Sequence, residues 1–146
     1  MITLSKILLT KIEQHGTDAY PDECVGALIG SVDARVLAWE VERLFPINNR
    51  SEANRKRRYL VSPLDYLSAE KAADEAGKTL LGFYHSHPEH PASPSVTDLN
   101  LAQPNFIYLI ISICRSPEAS AHAADMGVFL LSDDRKTFLS HEVIVN

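Results

Sequence analysis

Hydrophobic positions recur with helical spacing in two segments of the chain. The first covers residues 4–15, and Gly16 suits the position just after its last turn. In the second, Ser62 can serve as the N-cap, Pro63 as the first helical residue and Gly77 as the stop. We predict a helix in each segment. Four residues of the second helix fall on roughly one face: Leu64, Leu67, Ala72 and Ala76.

Shorter apolar or alternating segments predict β-strands at residues 24–29, 35–45, 79–84, 106–114, 126–131 and 138–145. The continuous Ile/Leu run in residues 106–114 is typical of a central strand. Residues 46–58 are polar and residues 88–94 contain three prolines, so we predict loops there, followed by a short helix over 95–103. The pattern predicts an α+β or α/β fold with about six strands and two or three helices.

Composition indicates one globular domain. The 146 residues are 45% hydrophobic and 23% charged, and we expect a single domain over 1–146. We find no signal peptide, and no apolar stretch approaches the ~20 residues of a membrane span, so we expect a cytoplasmic protein without a membrane partner. The chain has two cysteines, Cys24 and Cys114, which is too few for a disulfide framework. They form no CxxC motif, which excludes a cysteine zinc ribbon.

The net charge of −5 argues against nucleic-acid binding. Five of the 14 basic residues nevertheless lie within residues 50–58. This basic cluster consists of Arg50, Arg55, Lys56, Arg57 and Arg58. Two interpretations stay open: a solvated loop without a partner, or a surface that steers an acidic protein to the domain.

The segment after the predicted strand at 79–84 carries the candidate chemistry. His85 and His87 are two residues apart, so in a strand both imidazoles point to the same face, where they could bind zinc. A third ligand should be nearby, and Asp98 is the best candidate. Glu89 and His90 are alternatives closer in sequence, but they lie on a proline-bounded segment that we expect to lead away from the site. The spacing Ser95-x-x-Asp98 is also that of a helix capping box, and the two roles are compatible.

Two motifs of this chain resemble the JAMM (MPN+) metalloprotease family. The first is His85-Ser-His87-Pro followed, after six residues, by Ser95-Val-Thr-Asp98. The second is Glu23 followed by Cys24 and small hydrophobic residues up to a glycine, although Val25 here separates Cys24 from the glycine that usually comes next.

The resemblance implies a single MPN/JAB-type domain of the α+β (α/β-like) class. Its central sheet would be mixed and mostly antiparallel, with about six strands, two or three flanking helices and cytidine-deaminase-like layering. His85, His87 and Asp98 would hold one zinc ion per chain. Glu23 would be the general base and then acid, and Ser95 would hydrogen-bond the oxyanion.

The resemblance also implies a substrate class. Family members cleave an amide or isopeptide bond after the C-terminal tail of a ubiquitin-like protein, and small bacterial members are associated with sulfur-carrier proteins. Two alternatives stay open: a metal hydrolase of short peptides or small molecules, and a catalytically silent scaffold. The sequence does not decide whether the chain is a monomer or a homodimer.

Overall fold

The computed structural model describes residues 1–49, 51–52, 54–56 and 59–146. Three helices and eight strands follow one another as β1 (Ile2–Leu4), α1 (Lys6–Ala19), β2 (Val25–Asp33), β3 (Ala38–Ile47), α2 (Pro63–Glu75), β4 (Thr79–Pro88), α3 (Val96–Leu101), β5 (Ile107–Ser116), β6 (Ala119–Leu131), β7 (Phe138–His141) and β8 (Val143–Val145). No helix among these residues is long and apolar enough to cross a membrane.

All eight strands form one mixed sheet with the order β7-β6-β5-β4-β2-β3-β1-β8. Strand β4 lies in its middle, antiparallel to β2 and parallel to β5. Four of the seven neighbouring pairs are antiparallel, as predicted. The strand count is eight rather than about six. One reason is that residues 138–145, predicted as one strand, form two that pair at opposite ends of the sheet.

The turn between these two strands is a single residue, Glu142. Its carbonyl accepts the N–H of Ile2 at 3.1 Å, and the ring of His141 packs edge-on against Trp39 of β3 at 5.8 Å. The two outermost strands of the sheet therefore meet at Glu142, which requires the sheet to curl.

Each face of the sheet buries a separate apolar cluster. Helix α1 packs on one face through Ile12, together with side chains of β5 such as Ile111 and Ile113. Helix α2 packs on the other face through Ala69 and Ala73. The central strands are therefore covered on both sides, which explains why residues 107–113 are buried without interruption.

Two details of the helices differ from the prediction. Gly16 lies inside α1 rather than after it, and it has no side chain because one there would come within 2.9 Å of Ile113. In α2, Ser62 caps and Gly77 follows as predicted, but Leu64 and Leu67 are 76% and 59% exposed. The predicted face was wrong because α2 approaches the sheet closely, and its small alanines fit there.

The strand boundaries differ as well. Strand β3 begins at Ala38 because Asp33 and Arg35 form a turn in which the carboxylate accepts the backbone N–H and guanidinium of Arg35. Strand β4 continues beyond Tyr84 to Pro88, which carries both candidate histidines into the sheet. Strand β6 begins seven residues before the predicted start at 126, since its first half lacks the apolar pattern.

Candidate active site

His85 and His87 lie near the end of β4, both buried, on the face that α2 covers. Their Nε2 atoms are 3.1 Å apart. His85 is held between Val25 of β2 and Ile110 of β5 by the strand register, so its backbone cannot shift without breaking two ladders. The prediction that both imidazoles share one face agrees with this geometry.

Asp98 completes a triangle of donor atoms. Its Oδ1 is 3.2 Å from His85 Nε2, and its Oδ2 is 3.1 Å from His87 Nε2. The carboxylate lies in the first turn of α3, where Ser95 is the N-cap and both hydrogen bonds of a capping box are present. The capping role and the approach to the histidines therefore occur together, as the sequence allowed.

The proton positions make this triangle compatible with a bound cation. Nδ1 of His87 is 2.7 Å from the carbonyl oxygen of Pro91, which can only accept, so Nδ1 carries a proton. In neutral His87 the Nε2 then presents a lone pair to the carboxylate of Asp98. Lone pairs at 3.1 Å repel unless a proton or a metal ion lies between them.

The donor spacing fits zinc. Ligands about 2.0–2.1 Å from a tetrahedral zinc ion are about 3.3–3.4 Å from one another. The two Nε2 atoms here are 3.1 Å apart, and the Asp98 carboxylate places Oδ1 3.2 Å from His85 Nε2 and Oδ2 3.1 Å from His87 Nε2. Two imidazole nitrogens and one carboxylate oxygen are also the ligand types that zinc accepts.

The charges of the three side chains are set by burial and by one another. Burial lowers the pKa of His85, which favours the neutral, metal-binding form. Burial also acts against charge on His87, but its hydrogen bonds to Asp98 and to Pro91 outweigh this and raise its pKa. Burial likewise opposes ionisation of Asp98, yet the two histidines hold the pKa of Asp98 well below its usual range.

Glu23 lies beside this triangle, with Oε1 3.8 Å from His87 Nε2. It is only 2% exposed, and its Oε2 has no hydrogen-bond partner among the described residues. Burial raises the pKa of Glu23 to about 8. A buried carboxyl with one unused oxygen beside a cation site is suited to exchanging protons with a reactant there.

Three contacts that the sequence did not reveal hold Glu23 in place. Its N–H donates to the carbonyl of Arg55, and its own carbonyl accepts from the side-chain amide of Asn49. The next residue, Cys24, donates its N–H to Oγ of Ser86 at 2.8 Å, which ties the start of β2 to the strand of the two histidines. These are long-range contacts, so no local motif could have indicated them.

Tyr59 is a further residue that sequence reasoning missed. Its ring lies 4.6 Å from the His85 ring. Tyr59 also lines a groove of about 190 Å³. Other residues that line this groove include Leu60, Phe83 and Leu101. Its lining is mostly apolar, and Tyr59 is the lining residue whose ring contacts His85.

The alternative ligands occupy different places. The carboxylate of Glu89 accepts hydrogen bonds from Tyr20 and from the backbone of Arg115, and Glu89 is not in either ligand group found among the described residues. His90 does stay close: its ring stacks on His87 at 4.1 Å, and it forms a second potential ligand group with Glu23 and His87. The expectation that this segment leads away from the site is therefore wrong for His90.

The basic cluster is described only in part. Arg55 and Lys56 are exposed, while Arg50, Arg57 and Arg58 lie outside the described residues. Because the carbonyl of Arg55 accepts the N–H of Glu23 at 2.7 Å, this segment runs directly past the candidate site.

Two curated relatives match part of the chain. A desampylase from Haloferax volcanii is 39% identical over 93 residues, which cover 63% of this chain and 63% of that protein. A probable TtuB-protein conjugate cleaving protease from Thermus thermophilus is 37% identical over 103 residues, covering 70% of this chain and 64% of that protein. The chain thus spans less than two thirds of the length of either relative.

Solved structures share the whole fold. A solution structure from Desulfitobacterium hafniense has a TM-score of 0.81 and 33% identity, covering 100% of this chain and 93% of that one. One from Salinibacter ruber has a TM-score of 0.73 and 35% identity, covering 99% and 91%. A JAB1/MPN domain protein from Archaeoglobus fulgidus has the same fold at 21% identity, with a TM-score of 0.59 and coverage of 100% and 97%.

A family profile, described as prokaryotic homologs of the JAB domain, matches residues 5–126. Since that match covers most of the chain, this chain belongs to the prokaryotic JAB-domain family, which confirms the predicted relationship.

Proposed function

We propose that this protein is a zinc-dependent peptidase or isopeptidase that hydrolyses the amide bond after the C-terminal tail of a ubiquitin-like sulfur-carrier protein. One observation carries the proposal: two imidazole nitrogens lie 3.1 Å apart, each within 3.2 Å of an oxygen of the Asp98 carboxylate, and the buried carboxyl of Glu23 lies 3.8 Å from His87 Nε2. The names of the two curated relatives, a desampylase and a probable conjugate-cleaving protease, support the substrate class.

His85, His87 and Asp98 would hold the zinc ion. When bound there, zinc supplies a Lewis acid for the scissile carbonyl and lowers the pKa of water towards ~7. The pKa of about 8 for Glu23 belongs to the metal-free site, and a neighbouring cation favours the ionised carboxylate.

Glu23 would then move one proton in two steps. Its carboxylate takes a proton from the attacking water and gives it to the leaving amine, which departs neutral. The exclusion of solvent from this side chain keeps the proton in the site between the two steps. Its backbone contacts to Arg55 and Asn49 hold the carboxyl at a fixed distance from His87.

Ser95 would stabilise the developing oxyanion. Its Oγ accepts the N–H of Asp98 as a helix cap at 3.0 Å, which uses a lone pair and leaves the hydroxyl proton able to donate. Since the same residue caps the helix that carries Asp98, the donor and the ligand are held in one rigid turn.

The substrate tail would lie in the groove beside Tyr59. Strands β2 and β4, which carry the site, are both paired on two sides, so an extended tail cannot add to them as a new edge strand. The segment at residues 59–61 borders the groove and could provide main-chain pairing instead. Leu60 and Leu64 are exposed beside it, which suits an apolar carrier surface.

The basic cluster would steer an acidic carrier towards this groove. Arg55 and Lys56 are exposed on the segment that also contacts Glu23. Charge reversal at both positions should therefore slow association, most strongly at low salt. Arg135 and Lys136, two adjacent exposed basic residues before β7, provide a matched charge-reversal control.

The alternatives differ from the proposal in measurable ways. A silent scaffold would lack zinc or turnover, and a small-molecule hydrolase would cleave short peptides but no carrier. The test is incubation of the zinc-loaded protein with ubiquitin-like carriers extended beyond Gly-Gly, read by mass spectrometry. We expect about one zinc per chain and release of the extension, both abolished by a chelator. Turnover of short peptides with every carrier left intact would refute the carrier assignment.

A further inference from the structure

The turn that follows β4 contacts the ring of His87 from two sides. The carbonyl of Pro91 accepts the Nδ1–H of His87 at 2.7 Å. The ring of His90 stacks on that of His87 at 4.1 Å with an interplanar angle of 18°. The position of this turn therefore decides which His87 nitrogen carries the proton and where Nε2 points.

Glu89, the first residue of the turn, fastens it to two other elements. Its Oε1 accepts the hydroxyl of Tyr20 at 2.7 Å and the N–H of Arg115 at 2.7 Å. Its own N–H donates to the carbonyl of Ile113 at 2.8 Å. One side chain thus joins the metal-ligand strand, the end of β5 and the residue after α1.

The connection to Tyr20 reaches the other half of the site. Tyr20 stands three residues before Glu23 in the chain. The carboxylate of Glu89 therefore links the segment that carries the candidate base to the segment that orients a candidate metal ligand.

The backbone at Glu89 adopts a conformation that favours glycine. Its φ is +60°, in the left-handed region where glycine is favoured over residues with a side chain. A glycine would form this turn more easily but would make neither hydrogen bond. Strain of this kind persists where surrounding contacts fix it.

We propose that Glu89 is a positioning residue of the metal site: it holds the 89–91 turn so that His87 keeps its Nδ1 proton on Pro91 and its Nε2 lone pair towards Asp98. This inference rests on the proposed function for its catalytic consequence. The hydrogen-bond geometry that carries it is independent of any metal ion.

Three substitutions separate this role from that of an ordinary turn residue. Glu89→Gln keeps an acceptor oxygen for Tyr20 and Arg115, whereas Glu89→Gly removes the acceptor and relieves the backbone strain. Tyr20→Phe removes one of the two bonds without touching the turn. Arg135→Gly is the matched control, since Arg135 also has a positive φ, +62°, in a turn before β7 that is remote in sequence from the site.

The readouts are the His87 tautomer, by ¹⁵N NMR of the metal-free protein at a pH above the raised pKa of His87, where its imidazole is neutral, and the zinc dissociation constant, by competition with a chromophoric chelator. Glu89→Gly should fold with equal or higher Tm, yet mix the two His87 tautomers and weaken zinc binding roughly 3–10-fold. Tyr20→Phe should show a smaller change, and Glu89→Gln and Arg135→Gly should match the wild type in both readouts.

A Glu89→Gly protein with the wild-type tautomer and zinc affinity would overturn the proposal. If Glu89→Gly fails to fold, Tyr20→Phe provides the test instead. A Tyr20→Phe protein with the wild-type tautomer and zinc affinity would then overturn the proposal. If the wild type binds no zinc, the proposed function fails, and the NMR comparison alone decides whether Glu89 positions His87.

Discussion

Replacing Glu23 with glutamine should remove a pH dependence of stability that the buried carboxyl imposes on the metal-free protein. The two side chains have nearly the same shape, so Glu23→Gln changes the titration and little of the packing. The carboxyl has an ordinary pKa of 4.5 when the chain is unfolded and a pKa of about 8 when it is buried in the fold.

The sign follows from these two values. Below pH 4.5 the group is neutral in both states, and its contribution to stability is fully present. As the pH rises towards 8, the unfolded chain ionises first and is favoured, so the free energy of unfolding falls. At 1.36 kcal/mol per pKa unit the total loss is at most about 5 kcal/mol, a large part of the ~5–15 kcal/mol typical of a domain.

The assay is urea denaturation with a chelator present, at a series of pH values from 4.5 to 9. Subtracting the Glu23→Gln curve from the wild-type curve isolates this one group from the histidines. We expect the difference to grow by several kcal/mol across that interval and to level off above pH 8. Parallel curves for the two proteins would refute the reasoning, since Glu23 would then ionise as freely in the fold as in the unfolded chain.

Other predictions test the remaining parts of the site. Glu23→Gln should keep zinc and lose cleavage by about 10²–10⁴-fold in kcat; wild-type turnover would reassign the base. Asp98→Ala should lose zinc in metal analysis of the purified protein, and unchanged zinc content would move the third ligand to His90. Ser95→Ala should lower kcat about 10–100-fold and destabilise α3, measured by steady-state kinetics and thermal unfolding; unchanged kcat would remove it from the oxyanion site. Because burial raises the pKa of Cys24 to about 11, iodoacetamide at pH 8 should modify Cys114 in the native protein and leave Cys24 intact, as peptide mapping can check.

The ends of α2 were predictable from the sequence, whereas its buried face was not. Ser62, Pro63 and Gly77 set the limits of α2 through local backbone chemistry, which the sequence shows directly. Which side of α2 is buried depends on how closely it approaches the sheet, and that distance favours Ala69 over the larger Leu64. Gly16 was misread for the same reason, since its lack of a side chain serves a contact with Ile113 rather than a helix end.

The donor residues were predictable because they lie close together in sequence. His85, His87 and Asp98 fall within 14 consecutive residues, so a strand, a turn and one helical cap suffice to bring them together. The residues that support them come from distant parts of the chain. Two examples are the hydrogen bond from Cys24 to Ser86 and the ring contact between Tyr59 and His85. Each joins segments that are far apart in the sequence and become neighbours only when the sheet forms.

The single-residue turn at Glu142 has a consequence for self-association. Open sheets expose unpaired backbone groups along their outermost strands, which can act as templates for strands of other chains. Here those outermost strands are only four and three residues long, and they meet where the sheet curls. Their short length leaves open edge elsewhere, because β7 pairs only with residues 128–131 of β6 and β1 only with residues 39–41 of β3. Cross-chain strand addition is therefore directed to the first half of β6 and the second half of β3, and the junction at Glu142 offers little edge to another copy.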